Sequence, residues 1–252
     1  MSKPRAVLFD IGSTLWSSPA EDAGALAGCY GRGRDILIAD LGGAVPSMEA
    51  LIEAVEGHFA RWEDVWRTDA GQVIQPPTHE YVAIALGELG IKPSLEALRG
   101  FTDAILETSV YTAKVEPAEP GMKESLAELQ EHGLRLACVS NAFMGGDVLT
   151  QIMFERGLGD FLDFTVSSCE LGYRKPHAAI YQAALDKLGI AGPDAIFVGD
   201  RLDADVEGPS KLGMRTVLTL QYRDEDPAAA RVKPDHVIKH LSELPSWVKA
   251  LG

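Results

Sequence analysis

Polar residues that could do chemistry stand at the ends of three apolar, strand-like segments of the sequence. A carboxylate placed at the end of a buried strand is costly unless it is paired, bound to a ligand or used in a reaction. Because the carboxyl ends of parallel strands open into one crevice, where ligands bind, we expect these side chains to meet there. They are Asp10 in AVLFDIGSTLW (6–16), Ser140 and Asn141 after LRLACVS (134–140), and Asp200 in AIFVGD (195–200).

A fourth element adds a cation to this set. The segment GYRKPH (172–177) places Lys175 just before Pro176, and proline is favoured in the first turn of a helix. Each of these residues taken alone also fits ordinary helix capping or turn chemistry. Four such elements in order, each at the expected boundary, favour a common site.

The elements that would position this site alternate along the chain from residue 119 onward. Alternating strands and helices predict a parallel sheet that is covered on both faces. We therefore predict an α/β fold with a Rossmann-like, doubly wound parallel sheet. The predicted strands are 134–140, 195–200, 215–220 and 235–238, together with the first run; the predicted helices are 120–133, 177–189, 203–213 and one at the C-terminus.

Residues 17–117 show a different pattern of apolar and polar residues. Helical periodicity dominates this region, apart from the ambiguous segment RDILIAD (34–40). We expect an α-helical cap domain of residues 17–117, inserted into an α/β core domain of residues 1–16 and 118–252. The predicted helices of the insertion are 47–67, 78–90 and 94–110.

Composition excludes several classes of protein. The chain of 252 residues is 46% hydrophobic and 24% charged, which is typical of a globular protein. Its formal net charge of −14 argues against a nucleic-acid partner, since such binding depends on Lys and Arg at phosphates. No segment has the ~18 apolar residues of a membrane helix. Three widely spaced cysteines predict reduced thiols and a cytoplasmic location.

The ordered motifs FDIGSTL, VSN, RKP and VGDRLDADVEG resemble those of the haloacid dehalogenase (HAD) superfamily. Members of that superfamily are mostly phosphohydrolases that attack with an aspartate. The motifs span Asp10 to Asp205, and the helical insertion resembles the cap that closes over the site and selects the substrate in that superfamily. The resemblance therefore implies a hydrolase that acts on a small phosphorylated metabolite.

The resemblance also assigns roles at the reacting centre. Asp10 is the expected nucleophile, because a carboxylate can form a covalent aspartyl-phosphate intermediate. Asp10, Asp200 and the backbone carbonyl of Gly12 form an oxygen-rich set suited to Mg²⁺. Asp205 is expected to hold the metal through water or to orient Lys175. The charge of Lys175 would balance the carboxylates and the phosphoryl oxygens.

A second group of residues is expected to bind the phosphate. Ser140 would donate its hydroxyl, and Asn141 its amide N–H, to a phosphate oxygen. Thr14 and the backbone of Ser13 would complete the cradle.

The first motif departs from the commonest phosphatase pattern, D-x-D-G-T. In that pattern the second Asp protonates the leaving group and then activates the hydrolytic water. Here Gly12 occupies its place, and Ser13 stands where the usual Gly is. A positioned acid–base group contributes about 10²–10⁴-fold in rate.

Three interpretations follow from this departure. The protein is a phosphohydrolase that favours good leaving groups, or it resembles a 2-haloacid dehalogenase, whose halide product leaves without a proton. In the third interpretation the protein has limited catalytic activity and binds a phosphorylated metabolite or another protein. Dehalogenases carry Tyr at the Gly12 position and Ser–Asn in place of Gly199–Asp200, and the intact acids argue against lost catalysis. We therefore predict a Mg²⁺-dependent phosphohydrolase.

Overall fold

The computed structural model describes residues 3–17, 23–69, 71–115 and 118–252. The chain forms two compact units, Met1–Pro19 with Glu116–Gly252, and Ala20–Val115. Residue 117, where the sequence places the end of the helical insertion, lies outside the described residues. None of the helices in the described ranges is long and apolar enough to cross a membrane.

The first unit contains a six-stranded sheet in which every neighbouring pair of strands is parallel. Its order is β3-β2-β1-β4-β5-β6, which is the classical doubly wound order. The predicted α/β fold with a Rossmann-like parallel sheet is therefore confirmed. The strands are β1 (Ala6–Phe9), β2 (Arg135–Ser140), β3 (Thr165–Ser167), β4 (Ala195–Gly199), β5 (Arg215–Thr219) and β6 (His236–Ile238).

Ten α-helices accompany these strands in the described ranges. Four of them make up the second unit: α1 (Ala23–Leu41), α2 (Met48–Thr68), α3 (Thr78–Glu88) and α4 (Leu95–Val115). The others belong to the first unit: α5 (Met122–Glu131), α6 (Gly146–Glu155), α7 (Ser168–Leu171), α8 (Ala178–Leu188), α9 (Gly208–Ser210) and α10 (Leu244–Ala250).

The central strand β1 is buried along its whole length. Successive side chains of a strand point to opposite faces, so a strand with apolar residues at every position needs cover on both faces. Leu8 pairs in register with Ala137 of β2 and Phe197 of β4. These three residues share one core cluster with Ile180 and Tyr181 of α8.

The strand order brings Asp10 and Asp200 to the carboxyl end of the sheet, at the point where successive crossovers begin to run in the opposite direction. β1 lies between β2 and β4, and Asp10 and Asp200 directly follow β1 and β4. The backbone N–H of Asp10 still donates to the carbonyl of Val198 at 2.9 Å, which aligns the two strand ends. Ligands of open α/β sheets bind at such a reversal.

The structure settles one segment that the sequence leaves open and corrects one predicted helix. The ambiguous segment 34–40 is helical, as part of α1, because its apolar residues pack against the other helices of its unit. The predicted helix over 203–213 is only partly right. A π-helical turn, Leu202–Glu207, precedes the short α9, and the N–H of Gly208 donates to the carbonyl of Asp203. Such turns are frequent at functional sites.

The second unit has its own core, in which helices α1 and α4 approach closely. A β-carbon at Gly33 of α1 would lie 2.8 Å from Cδ2 of Phe101, which is fully buried on α4. On the same helix, a β-carbon at Gly31 would meet nothing within 4 Å. The two glycines thus differ in packing while sharing one helical backbone.

This difference predicts opposite effects of the same substitution. Gly33→Ala should lower the free energy of unfolding by about 1–2 kcal/mol, because overpacking outweighs the higher helix propensity of alanine. Gly31→Ala should raise it by up to about 1 kcal/mol. Urea unfolding followed by tryptophan fluorescence measures both. Equal effects of the two substitutions would contradict the close packing of α1 on α4.

Candidate active site

The centre of the site is the ammonium group of Lys175, which joins two carboxylates from different parts of the chain. Its Nζ donates to Oδ1 of Asp10 at 2.6 Å and to Oδ1 of Asp205 at 2.8 Å. The side chain of Lys175 is 2% exposed and that of Asp205 is 0% exposed, whereas Asp10 keeps 11%. Asp10 is therefore the member of this triad that solvent or a substrate can reach.

Asp205 also shapes the loop that follows β4. Its Oδ2 accepts the backbone N–H groups of Asp200 at 3.1 Å and of Arg201 at 3.0 Å. A β-carbon at Gly199 would lie 2.3 Å from Cγ of Asp205, so the close approach of this carboxylate requires a glycine there. The Gly–Asp pair of the fourth motif and the later Asp205 are thus one packed unit.

The segment that carries Lys175 is held in place by Asn141. The side-chain Oδ1 of Asn141 accepts the backbone N–H of Lys175 at 2.7 Å, and its Nδ2 donates to the Lys175 carbonyl at 3.1 Å. The bond between Lys175 and Pro176 is cis. The ammonium also lies 5.3 Å from the ring centre of Phe197, a buried residue of β4. Strands β2 and β4 therefore fix the lysine from two directions.

Burial and neighbouring charge act against each other in this triad. Burial raises the pKa of Asp10, and the charge of Lys175 opposes this rise. Burial likewise raises the pKa of Asp205 to about 6, again against the effect of Lys175. For Lys175 burial acts to lower the pKa, but the charges of Asp10 and Asp205 raise it overall. The lysine thus stays protonated at neutral pH.

Three acids form a set that could hold a metal ion. Asp10, Asp200 and Asp205 each offer a carboxylate oxygen, and these oxygens lie within 4.8 Å of one another. Oxygen donors of this kind fit a hard divalent cation. Because both oxygens of Asp205 already accept hydrogen bonds, Asp10 and Asp200 are the better placed direct ligands. Gly12, whose carbonyl was predicted as a ligand, lies two residues after Asp10.

The turn after Asp10 holds the other residues predicted from the first motif. Thr14 is fully buried, and Ser13 adopts a left-handed conformation with φ of 57°. The N–H of Ser13 donates to the carbonyl of Trp16 at 2.7 Å. The Ser13 N–H is therefore already hydrogen-bonded within the turn, and it would have to break this bond to make the predicted backbone contact with phosphate.

Gly12 itself faces open space. A β-carbon built there meets no atom within 4 Å, and the residue is exposed. The absence of a carboxylate at this position is therefore not imposed by packing. At the end of β2, Ser140 is buried beside the Asn141 that holds Lys175.

One residue of the site was missed by the sequence reasoning. Nε of Arg223 donates to Oδ2 of Asp200, and Asp200 is buried, with a side chain 2% exposed. Arg223 follows β5, which neighbours β4. The rule that located the other residues, namely polar side chains just beyond the carboxyl ends of parallel strands, also covers this position.

Comparison with known proteins places this site in a family. The sequence profile of haloacid dehalogenase-like hydrolases matches residues 4–213, which include every residue of the triad. The chain therefore belongs to the haloacid dehalogenase-like hydrolases.

Relatives with named activities match nearly the whole chain. A ribulose-1,5-bisphosphate 5-phosphatase of Halopiger xanaduensis is 28% identical over 256 residues, covering 96% of this chain and 98% of the relative. A glyceraldehyde 3-phosphate phosphatase of Methanopyrus kandleri is 27% identical and covers 98% of each chain. Among solved structures, a 2-haloacid dehalogenase of Pseudomonas syringae pv. tomato DC3000 shares the fold, with a TM-score of 0.62, 23% identity and coverage of 99% and 100%.

The buried triad predicts a large cost for removing its cation. In the presence of EDTA, Lys175→Met should lower the free energy of unfolding by about 3–5 kcal/mol, because it leaves buried carboxylates unpaired. The matched control is Lys187→Met, where an exposed ammonium lies 5.1 Å from the ring centre of Phe164; its cost should stay below about 1 kcal/mol. Urea unfolding measures both variants. Equal costs would contradict the central role of Lys175.

Proposed function

We propose that this hydrolase is a Mg²⁺-dependent phosphohydrolase that acts on a small phosphorylated metabolite through an aspartyl-phosphate on Asp10. The observation that carries the proposal is the partly accessible Asp10 carboxylate, held at 2.6 Å by the ammonium of Lys175 and close to two further acids. Asp200 also separates this site from the dehalogenase pattern, which has Ser–Asn in place of Gly199–Asp200.

In the first step Asp10 attacks the phosphorus atom of the substrate. Oδ1 of Asp10 is held by Lys175, so Oδ2 is the oxygen that we assign as the nucleophile. The new bond joins Oδ2 to phosphorus, and the bond from phosphorus to the leaving oxygen breaks. Lys175, fixed by Asn141 and Asp205, keeps Asp10 oriented and supplies positive charge beside the transferring group.

Asp10 and Asp200 would hold Mg²⁺ directly, with the carbonyl of Gly12, and Asp205 would act through water or through Lys175. The bound ion would offset the negative charge that gathers on the phosphoryl oxygens. Ser140 and Thr14 would contact those oxygens. Because the side chain of Asn141 bonds to the backbone of Lys175, we assign its phosphate contact to the backbone N–H.

In the second step the oxygen of a water molecule bonds to phosphorus and the bond from phosphorus to Oδ2 of Asp10 breaks. This restores the Asp10 carboxylate and releases phosphate, and the proton that the water loses passes to the phosphate or to solvent. Neither step has a carboxylic acid at position 12 to move a proton. The leaving oxygen must therefore depart unprotonated or take its proton from water, which favours leaving groups that are weak bases.

The substrate class comes from the relatives as well as from the site. The named phosphatases act on ribulose 1,5-bisphosphate and on glyceraldehyde 3-phosphate, both small phosphorylated sugars. We propose a substrate of this general kind for the present chain. The helical unit Ala20–Val115 would serve as a cap that closes over the substrate and selects it. The three free cysteines support the proposed cytoplasmic location.

Phosphate release from p-nitrophenyl phosphate, assayed with and without Mg²⁺, tests the proposal. The wild-type protein should release phosphate only with the metal, and Asp10→Asn should abolish turnover because an amide is not a nucleophile at phosphorus. An unchanged melting temperature of the variant would show that the loss is chemical. Chloride release from a 2-haloacid in the absence of metal would instead establish the dehalogenase reaction.

A second experiment tests the consequence of Gly12. Across a series of phosphate esters, wild-type rates should fall steeply as the pKa of the leaving group rises. Gly12→Asp, for which the turn has room, should raise the rate on alkyl phosphates by up to about 10²-fold and change aryl phosphate rates little. The matched control is Gly12→Asn, which fills the same space without an acid. If both variants behave alike, proton transfer at this position does not limit the rate.

A further inference from the structure

The ion pair between Arg223 and Asp200 differs from the contacts that hold Lys175. Lys175 is 2% exposed and bonds to two carboxylates, and its backbone is held by Asn141. Arg223 is 48% exposed and reaches the 2%-exposed Asp200 through Nε. Lys175 is thus a buried part of the site, whereas Arg223 reaches the site from the protein surface.

The charges of the site explain why a second cation is needed there. Asp10, Asp200 and Asp205 carry three negative charges when ionised, and Lys175 neutralises one of them. Lys175 bonds to Asp10 and Asp205, so Asp200 depends on another partner. Among the described residues, Arg223 is the cation within ion-pair distance of Asp200. A buried carboxylate left without a partner is strongly destabilising.

We propose that Arg223 is a displaceable counter-ion of Asp200, which stabilises the site in the absence of Mg²⁺ and competes with the metal for this carboxylate. The inference rests on the proposed function in one respect, namely that Asp200 is a metal ligand. In this proposal Arg223 affects the affinity of the site for the metal, and it stabilises the cluster of acids when the metal is absent.

The position of Arg223 in the chain suits such an exchange. Arg223 lies beyond the carboxyl end of β5, in a stretch without regular secondary structure, so its side chain can move without disturbing a strand or a helix. Its half-exposed guanidinium remains hydrated on one side, which lowers the cost of returning it to water. Asp200, by contrast, is fixed directly after β4, and its N–H donates to Asp205.

Magnesium affinity of Arg223→Gln tests the proposal directly. Isothermal titration with MgCl₂ alone, at constant ionic strength, should give a Kd about tenfold lower for this variant than for the wild type. The reason is that the metal no longer has to displace a charge-assisted hydrogen bond. The matched control is Arg201→Gln. It removes the same charge next to Asp200, but its guanidinium pairs with Asp203 at 3.0 Å, and its Kd should change by less than about threefold.

Thermal unfolding gives a second readout that does not depend on activity. In EDTA, Arg223→Gln should melt below the wild type, because Asp200 has lost its partner. Saturating Mg²⁺ should close this gap, since the tighter metal binding stabilises the variant more. A Kd that is unchanged or raised in Arg223→Gln would overturn the inference. So would an equal tightening in Arg201→Gln, because it would reveal a general effect of charge.

Mg²⁺ binding by the wild type and by Asp200→Asn shows whether the role of Arg223 or the metal assignment itself is wrong. If the wild type binds Mg²⁺, Asp200→Asn does not, and Arg223→Gln matches the wild type, only the role of Arg223 is wrong. If Mg²⁺ binds none of these proteins, or binds Asp200→Asn as tightly as the wild type, the metal assignment is wrong and the inference fails with it.

Discussion

The bonds from the buried ammonium of Lys175 to Asp10 and Asp205 connect the three parts of the chain that make the active site. They join the end of β1, the segment before α8 and the loop after β4. A buried charge is strongly destabilising unless an opposite charge lies close to it. Lys175 supplies that charge for the two carboxylates, and they supply it for Lys175. The loop geometry, the glycine at position 199 and the amide of Asn141 all serve this arrangement.

Much of this arrangement is predictable from the sequence because one rule covers it. The carboxyl ends of parallel strands meet, so the sequence alone assigns Asp10, Ser140 and Asp200 to the same end of the sheet. The alternating segments also predicted the α/β fold. What the pattern could not give is the partner of each group, since that depends on side-chain reach. The bonds from Asn141 to the backbone of Lys175 are an example.

One segment that the sequence leaves open and one predicted helix are decided by contacts that local preference does not reveal. The apolar run at 34–40 fits a strand or a buried helix equally well, and only its packing within the helical unit decides between them. The turn at Leu202–Glu207 departs from a regular helix where Asp205 bonds back to the N–H groups of Asp200 and Arg201. In the first segment the deciding contacts are distant in sequence, whereas in the second a side chain bonds to backbone N–H groups four and five residues earlier.

The strand order has a consequence for how the chain is made. β1 precedes the helical unit in the chain, yet both of its neighbours, β2 and β4, come after the whole unit. Pairing across so long a stretch is slow because loop closure must precede any gain in contacts. A helical unit with its own core can fold as soon as it is complete and so shortens the loop. The long segment between β1 and β2 is then already ordered when β2 and β4 are made.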